Sequence, residues 1–97
     1  MCLALCNESF KPVNKMRVSV EISMYPLEPE YGTTILKFIR CLKSYENLEV
    51  VTNTMSSQIF GPYDEVMEAL TREMKIAFEK DKTVVMVMKV VNIDLNP

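Results

Sequence analysis

The sequence offers few side chains that could act as catalysts. It contains no histidine, the residue that most often moves protons near neutral pH and most often binds metals. Cys41 borders the apolar stripe of a predicted helix, with no histidine to activate its thiol. The paired carboxylates are Glu28 with Glu30, in a predicted loop, and Asp64 with Glu65, where the start of a helix explains them. We therefore predict that the protein is not an enzyme and has neither catalytic residues nor a metal site.

Polar side chains that could hold a small ligand fall on one strand and one hairpin. The candidates are Glu21, Ser23, Tyr25, Asn53, Thr54, Ser56 and Ser57. Glu21 is the only acid inside the predicted first strand, and its structural alternative is a salt bridge with Lys89 or Arg17. The alternative for Ser23 and Tyr25 is a solvated strand end, and for the hairpin residues it is ordinary turn formation.

The elements that position these residues follow from hydrophobic periodicity. Residues 17–25 alternate strictly between apolar and polar, which predicts a strand with one face on a core. From Thr33 the apolar residues recur with a helical period, which predicts a first helix. Its stripe comprises Ile35, Phe38, Ile39, Leu42 and Tyr45. Short strands over 48–51 and 57–60 flank a polar turn and predict an antiparallel hairpin.

The second half of the chain adds one helix and one strand. Gly61-Pro62 predicts the start of the second helix, because proline is favoured at the first helical position. Its apolar stripe comprises Tyr63, Val66, Met67, Leu70, Met74, Ala77 and Phe78. Residues 83–91 predict a final strand, so the order is β-α-β-β-α-β. We predict the α+β, ferredoxin-like fold: a four-stranded antiparallel sheet with two helices on one face, and the first and last strands side by side in its middle.

The final strand also predicts a second layer against the sheet, because it is apolar on both sides. The face that two helices cannot cover carries Val85, Val87 and Val91, with Tyr25 and Phe60 nearby, and the polar residues Ser19, Glu21 and Ser23. Burial stabilises each aliphatic side chain by about 1.5–3 kcal/mol, which several exposed valines would forfeit. We expect a second copy of the chain to pack there, in a homodimer or a homotetramer. The alternative is a monomer with a half-polar, solvated face.

Composition excludes several classes of partner. The net charge is −2, and the eleven lysines and arginines are scattered among thirteen acids, so we expect no nucleic-acid partner. No apolar run approaches the roughly 18–20 residues of a membrane span, so we expect no membrane partner. An odd number of cysteines, three, argues against a disulfide framework and favours the reducing cytoplasm. We predict a disordered leader over 1–15 and a single domain over 16–97.

Two segments resemble the YkoF-like, thiamine-binding family. VSVEISMYPL (18–27) is similar to the family's first strand, which ends in a Ser-x-Tyr-Pro signature. MSSQIFG (55–61) is similar to its hairpin and third strand, and the order of elements also agrees. The resemblance covers residues 16–92. The sequence departs from the family at Ser57, where a threonine is expected, and in the loop PLEPEYGTT (26–34).

This resemblance implies a ferredoxin-like domain that binds thiamine or its hydroxymethylpyrimidine half in a pocket by the sheet. Single-domain members of the family form tetramers by packing their sheets together. We therefore expect a non-catalytic carrier or sensor that needs no other cofactor. Three alternatives stay open: a regulatory module that binds another metabolite, such as an amino acid, between protomers; a small enzyme using Tyr25 or Glu21 as acid or base; and a structural oligomer with no ligand.

Overall fold

The computed structural model of the protein describes residues 16–27, 31–53, 55–80 and 83–96. In chain order the elements are β1 (Arg17–Pro26), α1 (Tyr31–Lys43), β2 (Glu49–Thr52), β3 (Ser57–Pro62), α2 (Tyr63–Lys80) and β4 (Val84–Val91). The four strands form one antiparallel sheet, and both helices pack on one of its faces. The predicted ferredoxin-like fold is therefore confirmed. The predicted leader over 1–15 lies outside the described residues.

The order of strands across the sheet is β2-β3-β1-β4. The first and last strands are neighbours, as predicted, but the prediction that both lie in the middle is wrong. β1 and β3 are central, and β4 is at an edge. The reason is that each helical connection passes over one strand before the chain rejoins the sheet. The connection from β3 to β4 therefore passes over β1 and adds β4 outside it.

The alternation of β1 builds the core. Val18, Val20 and Ile22 are only 1–3% exposed and face the helices. Val20 lies between Ile59 of β3 and Val90 of β4. The buried apolar cluster consists of Val18, Val20, Ile22, Phe38, Leu42, Leu48, Ile59, Val66, Ala69, Leu70 and Ala77. Neither described helix is both long and apolar enough to cross a membrane.

The second helix begins one residue later than predicted. Pro62 ends β3 instead of starting α2, because Pro62 pairs with Arg17 and the Tyr63 amide donates to the Met16 carbonyl at 3.0 Å. The strand ladder thus continues to the first residue of the helix. The predicted apolar stripe of α2 also differs, since Tyr63 and Phe78 are exposed while Glu73 is buried.

Gly61 lies where β3 passes close to the loop before β2. A Cβ atom at this position would lie 2.8 Å from Leu48 Cδ2 and 3.1 Å from the Asn47 carbonyl oxygen. The backbone oxygen can move little, so the position favours glycine. The close approach allows Leu48 to enter the core.

Candidate ligand-binding site on the open face

The open face is the face of the sheet that neither helix covers. The odd-numbered residues of β1 point to it, and the register fixes their neighbours on both sides. Ser19 lies between Phe60 of β3 and Val91 of β4, and Glu21 lies between Gln58 and Lys89. Further along β1, Ser23 lies beside Val87 and Tyr25 beside Val85. The face is therefore polar around Glu21 and apolar along β4.

The carboxylate of Glu21 joins the hairpin to the edge strand. The Ser56 hydroxyl donates to Glu21 Oε2 at 3.0 Å, and Lys89 Nζ lies 3.4 Å from Oε1. The structure thus brings together two of the predicted site residues, Glu21 and Ser56. It also shows the alternative salt bridge to Lys89, whose side chain is 78% exposed. An ion pair this exposed contributes at most about 1 kcal/mol, so a ligand could displace Lys89 at small cost.

The segment after β4, residues 92–96, attaches to the open face near Ser19. The Ser19 hydroxyl donates to the Ile93 carbonyl and accepts from the Leu95 amide, each at 2.7 Å. Arg17 Nε donates to Asp94 Oδ2 at 2.6 Å. This hydrogen bond, together with one from the Asn96 amide, holds the pKa of the Asp94 carboxyl below its ordinary value. The alternative pairing of Arg17 with Glu21 is therefore replaced by a pairing with Asp94.

The segment 92–96 contributes Leu95 to the wall of a depression on the open face. The depression has a volume of about 300 Å³, which is at the lower end of the range for small-molecule sites. Its lining residues are Ser19, Val20, Glu21, Gln58, Phe60, Lys89, Val91 and Leu95. Phe60 is only 2% exposed, although it points away from the helices, on the same side of the sheet as Ser19. The depression therefore combines an aromatic and aliphatic wall with a carboxylate, an amide and an ammonium group.

Two predicted residues lie on the open face but outside the depression. Ser23 and Tyr25 follow Glu21 along β1, and neither lines the depression. Tyr25 is 54% exposed and lies at the end of the strand. Their position matches the solvated strand end that the sequence left open.

The hairpin residues divide between turn formation and the site. Asn53 Oδ1 accepts the amides of Met55 and Ser56 at 2.8 and 2.9 Å, which is turn formation, as the alternative proposed. Thr54 lies outside the described residues. Ser57 pairs with Ile22 and is buried on the helix-covered side, away from the depression. Of the four hairpin candidates, Ser56 is the one whose described side chain contacts the open-face cluster.

Sequence reasoning missed two parts of the site. Gln58 was not a candidate, although a hairpin with Ser57 and Ile59 facing the core places Gln58 beside Glu21. The segment 92–96 was missed because it has no periodic pattern. The sequence feature that could have indicated this segment is indirect. Arg17 needs a carboxylate, which Asp94 supplies, and the nearly buried Ser19 hydroxyl needs hydrogen-bond partners, which a backbone amide and carbonyl of the segment supply.

The sequence matches no family model and no curated protein. Solved structures do match it. Hypothetical protein MJ1052 of Methanocaldococcus jannascii is 25% identical, with a TM-score of 0.70 over 84% of each chain. A "putative thiamine biosynthesis/salvage protein", TM0486 of Thermotoga maritima, is 16% identical, with a TM-score of 0.69 over 82% of this chain and 84% of its own. A domain of unknown function, DUF77, from Bacillus cereus is 11% identical, with a TM-score of 0.68 over 86% of this chain and 83% of its own.

Likeness at such low identity shows a common fold and does not carry an activity from one chain to another. The three proteins match this chain over most of its length and most of theirs, so the whole β-α-β-β-α-β unit is common to them. The chain thus has a ferredoxin-like fold that a DUF77 domain and a protein named for thiamine biosynthesis or salvage share.

Proposed function

We propose that the protein binds thiamine or its hydroxymethylpyrimidine half in the open-face depression, and serves as a non-catalytic, cytoplasmic carrier or sensor. The observation that carries this proposal is the position of Glu21. Its carboxylate contacts Ser56 and Lys89, which together form the polar cluster, and it lines the depression with Phe60. The thiamine-related name of one structural neighbour supports the choice of ligand.

The lining groups are complementary to an aminopyrimidine. The exocyclic amine of the pyrimidine needs an acceptor, which Glu21 supplies, and the ring nitrogens need donors, which the Gln58 amide and Lys89 supply. The apolar wall formed by Phe60, Val91 and Leu95 suits the flat face of the ring. The thiazolium half of thiamine carries a positive charge, so thiamine itself would bind best once Lys89 has moved away from Glu21.

A second copy of the chain, packed on the open face, would complete this site. On the open face of β4, the side chains of Val85, Val87 and Val91 are 38–51% exposed, and Tyr25 is exposed beside Val85. Covering these side chains stabilises the assembly and removes water from the polar cluster. The proposed active form is therefore a homodimer or a homotetramer.

The proposal is tested by calorimetric titration with thiamine and with hydroxymethylpyrimidine, using the wild type and Glu21→Gln. Hydrogen bonds to charged groups contribute about 1.5–3 kcal/mol, so Glu21→Gln is expected to weaken binding roughly 10- to 100-fold. Glu49→Gln is the matched control, because Glu49 is also a strand carboxylate on the open face but does not line the depression. No binding of either compound at millimolar concentration, or equal losses in the two variants, would refute the proposal.

The adjacency of Glu21 and Lys89 favours a second candidate function. Opposite charges 3.4 Å apart can hold a zwitterion such as a free amino acid, as a regulatory ferredoxin-like module would. A ligand that binds only the folded state raises its stability by about 2.7 kcal/mol at 100 times its Kd. Thermal-shift measurements with amino acids and with thiamine therefore separate the two, and no shift with any of them would favour a structural oligomer.

A further inference from the structure

Residues 92–96 are attached to the open face by polar contacts and bury little apolar surface. Ile93 and Leu95 are each 56% exposed. Within the described part of the chain, no backbone–backbone hydrogen bond joins this segment to the sheet. Its contacts with β1 are made instead by the side chains of Arg17 and Ser19. Because such contacts exchange partners at small cost, the segment can leave its position while the fold stays intact.

The contact between Arg17 and Asp94 places a carboxylate on a cation at the end of the depression. Leu95, the residue after Asp94, lines the depression. Arg17 donates one hydrogen bond to Asp94, from Nε to Oδ2 at 2.6 Å, and the two side chains are 47% and 28% exposed. A guanidinium can donate two parallel hydrogen bonds to a phosphate group, which carries more negative charge than a carboxylate. A phosphate group would therefore be a stronger partner for Arg17 than Asp94 is.

Ser19 adds a second hydrogen-bond donor between Arg17 and the ring-binding part of the depression. Its hydroxyl lines the depression and donates to the Ile93 carbonyl at 2.7 Å. When the segment moves away, this hydroxyl becomes available to a phosphate oxygen. Glu21 lies two residues further along β1, at about 7 Å along the strand, a distance that one substituted aromatic ring spans. The open face thus offers an acceptor for a ring amine at one end and donors for an anion at the other.

The acidic side chains of the open face oppose an anion at this position only weakly. Glu21 is paired with Lys89 at 3.4 Å, which offsets its repulsion of a phosphate group. Glu49 lies opposite Phe60, two strands away from Ser19 and thus at a separation of about 10 Å. Salt screens charges at that separation. The carboxylate that competes with an anion for Arg17 is therefore that of Asp94.

We infer that Arg17 and Ser19 form an anion subsite for the phosphate group of a phosphorylated ring compound, and that Asp94 occupies this subsite until such a ligand displaces it. The inference deepens the proposed function, on which it rests for the ring. An aminopyrimidine bound at Glu21 and against Phe60 would direct its ester phosphate toward Ser19 and Arg17. Asp94 is then an internal competitor. The apparent affinity for the ester is the intrinsic affinity multiplied by the fraction of molecules in which Arg17 is not paired with Asp94.

The test compares hydroxymethylpyrimidine with its phosphate ester by calorimetry in the wild type, Arg17→Gln and Asp94→Asn. Hydrogen bonds to charged groups change affinity about 10- to 100-fold, so the ester should bind the wild type at least 10-fold more tightly than the alcohol. Arg17→Gln should remove this preference. An exposed ion pair changes an equilibrium constant by at most about 5-fold, so Asp94→Asn should tighten ester binding by up to that factor and leave the alcohol unchanged.

The opposite directions of these two effects distinguish a competitor from a structural ion pair, whose loss would act in the same direction from either side. The matched controls are Arg72→Gln and Glu68→Gln, which change the net charge of the protein by the same amounts. Arg72 and Glu68 form an exposed ion pair at 3.6 Å within α2. Both control variants should retain the wild-type ratio of ester affinity to alcohol affinity.

An NMR titration with inorganic phosphate tests the subsite without a pyrimidine. The Leu95 and Asn96 amides should change their chemical shifts in the wild type, at lower phosphate concentration in Asp94→Asn, and not in Arg17→Gln. If neither pyrimidine binds but these amides respond as expected, the proposed function is refuted and the anion subsite is supported. The inference would be overturned by amides that do not respond to phosphate, by an ester that binds no more tightly than the alcohol, or by ester affinities that fall in both Arg17→Gln and Asp94→Asn.

Discussion

On β1, Val20 is buried between the strand neighbours Ile59 and Val90, while the next residue, Glu21, contacts Ser56 and Lys89 on the other side of the same strand. The helix-covered face is held by close apolar packing. Around Glu21 the open face is held by one hydrogen bond and one ion pair of partly exposed side chains, and such an ion pair forms and breaks with little change in free energy. A sheet arranged in this way separates the residues that stabilise the fold from those that can exchange partners with a ligand.

The largest predicted effect comes from comparing two adjacent residues of β3, Ile59 on the helix-covered face and Gln58 on the open face. Ile59 is fully buried, and truncation of such a residue to alanine costs about 2–5 kcal/mol. We expect Ile59→Ala to lower the free energy of unfolding by that amount in urea titration. The adjacent Gln58 points to the open face, and Gln58→Ala should change stability by less than about 0.5 kcal/mol.

The same two variants separate effects on folding stability from effects on ligand binding. Gln58→Ala should weaken ligand binding in calorimetry with little loss of stability, whereas Ile59→Ala should retain affinity at temperatures where it is folded. Similar losses of stability in the two variants would show that the open face is as tightly packed as the covered one. The contrast between the faces would then be wrong.

Much of this contrast could be predicted from the alternation in β1 and the helical stripes. The open face and the place of Glu21 on it follow from the period of two, and the fold class follows from the order of strands and helices. The position of β4 could not be predicted from its composition, because an edge strand with both faces exposed and a strand covered on both sides are equally apolar. One wall of the depression comes from Leu95 in the segment 92–96, whose contacts with Arg17 and Ser19 span more than seventy residues and leave no local pattern.

A smaller effect is expected beside the helical layer, where a hydrogen bond joins Tyr45, in the loop after α1, to α2. Tyr45 Oη donates to Glu73 Oε2 at 2.8 Å, and Glu73 is only 8% exposed. Tyr45→Phe leaves this buried acceptor without its donor, so we expect a loss of about 1–3 kcal/mol at neutral pH. Tyr63→Phe is the control, because Tyr63 is exposed at the start of α2.

The Tyr45 contact also predicts a pH dependence. Burial, and next the hydrogen bond to Glu73, raise the pKa of Tyr45 above its ordinary value of 10.0. The unfolded chain therefore loses this proton first, and the stabilisation is complete below about pH 10 and lost as the pH rises through the folded-state pKa. Urea titrations across this range should show a steeper loss in the wild type than in Tyr45→Phe. Identical slopes would mean that Tyr45 ionises equally well in the folded and unfolded chains.

The smallest effect should come from the contact that holds residues 92–96 to the open face. The hydrogen bond from Arg17, with a further one from the Asn96 amide, lowers the pKa of Asp94 below its ordinary value of 3.8. The stabilisation is thus present above about pH 4 and lost as the pH falls through the folded-state pKa. In Arg17→Gln the NMR titration of the Asp94 carboxyl carbon should move toward the ordinary pKa. The Leu95 amide, which donates to Ser19, should then change its chemical shift even at neutral pH. If Asp94 titrates identically in both proteins, Arg17 does not hold the segment, and the depression would have to be closed by Ser19 alone.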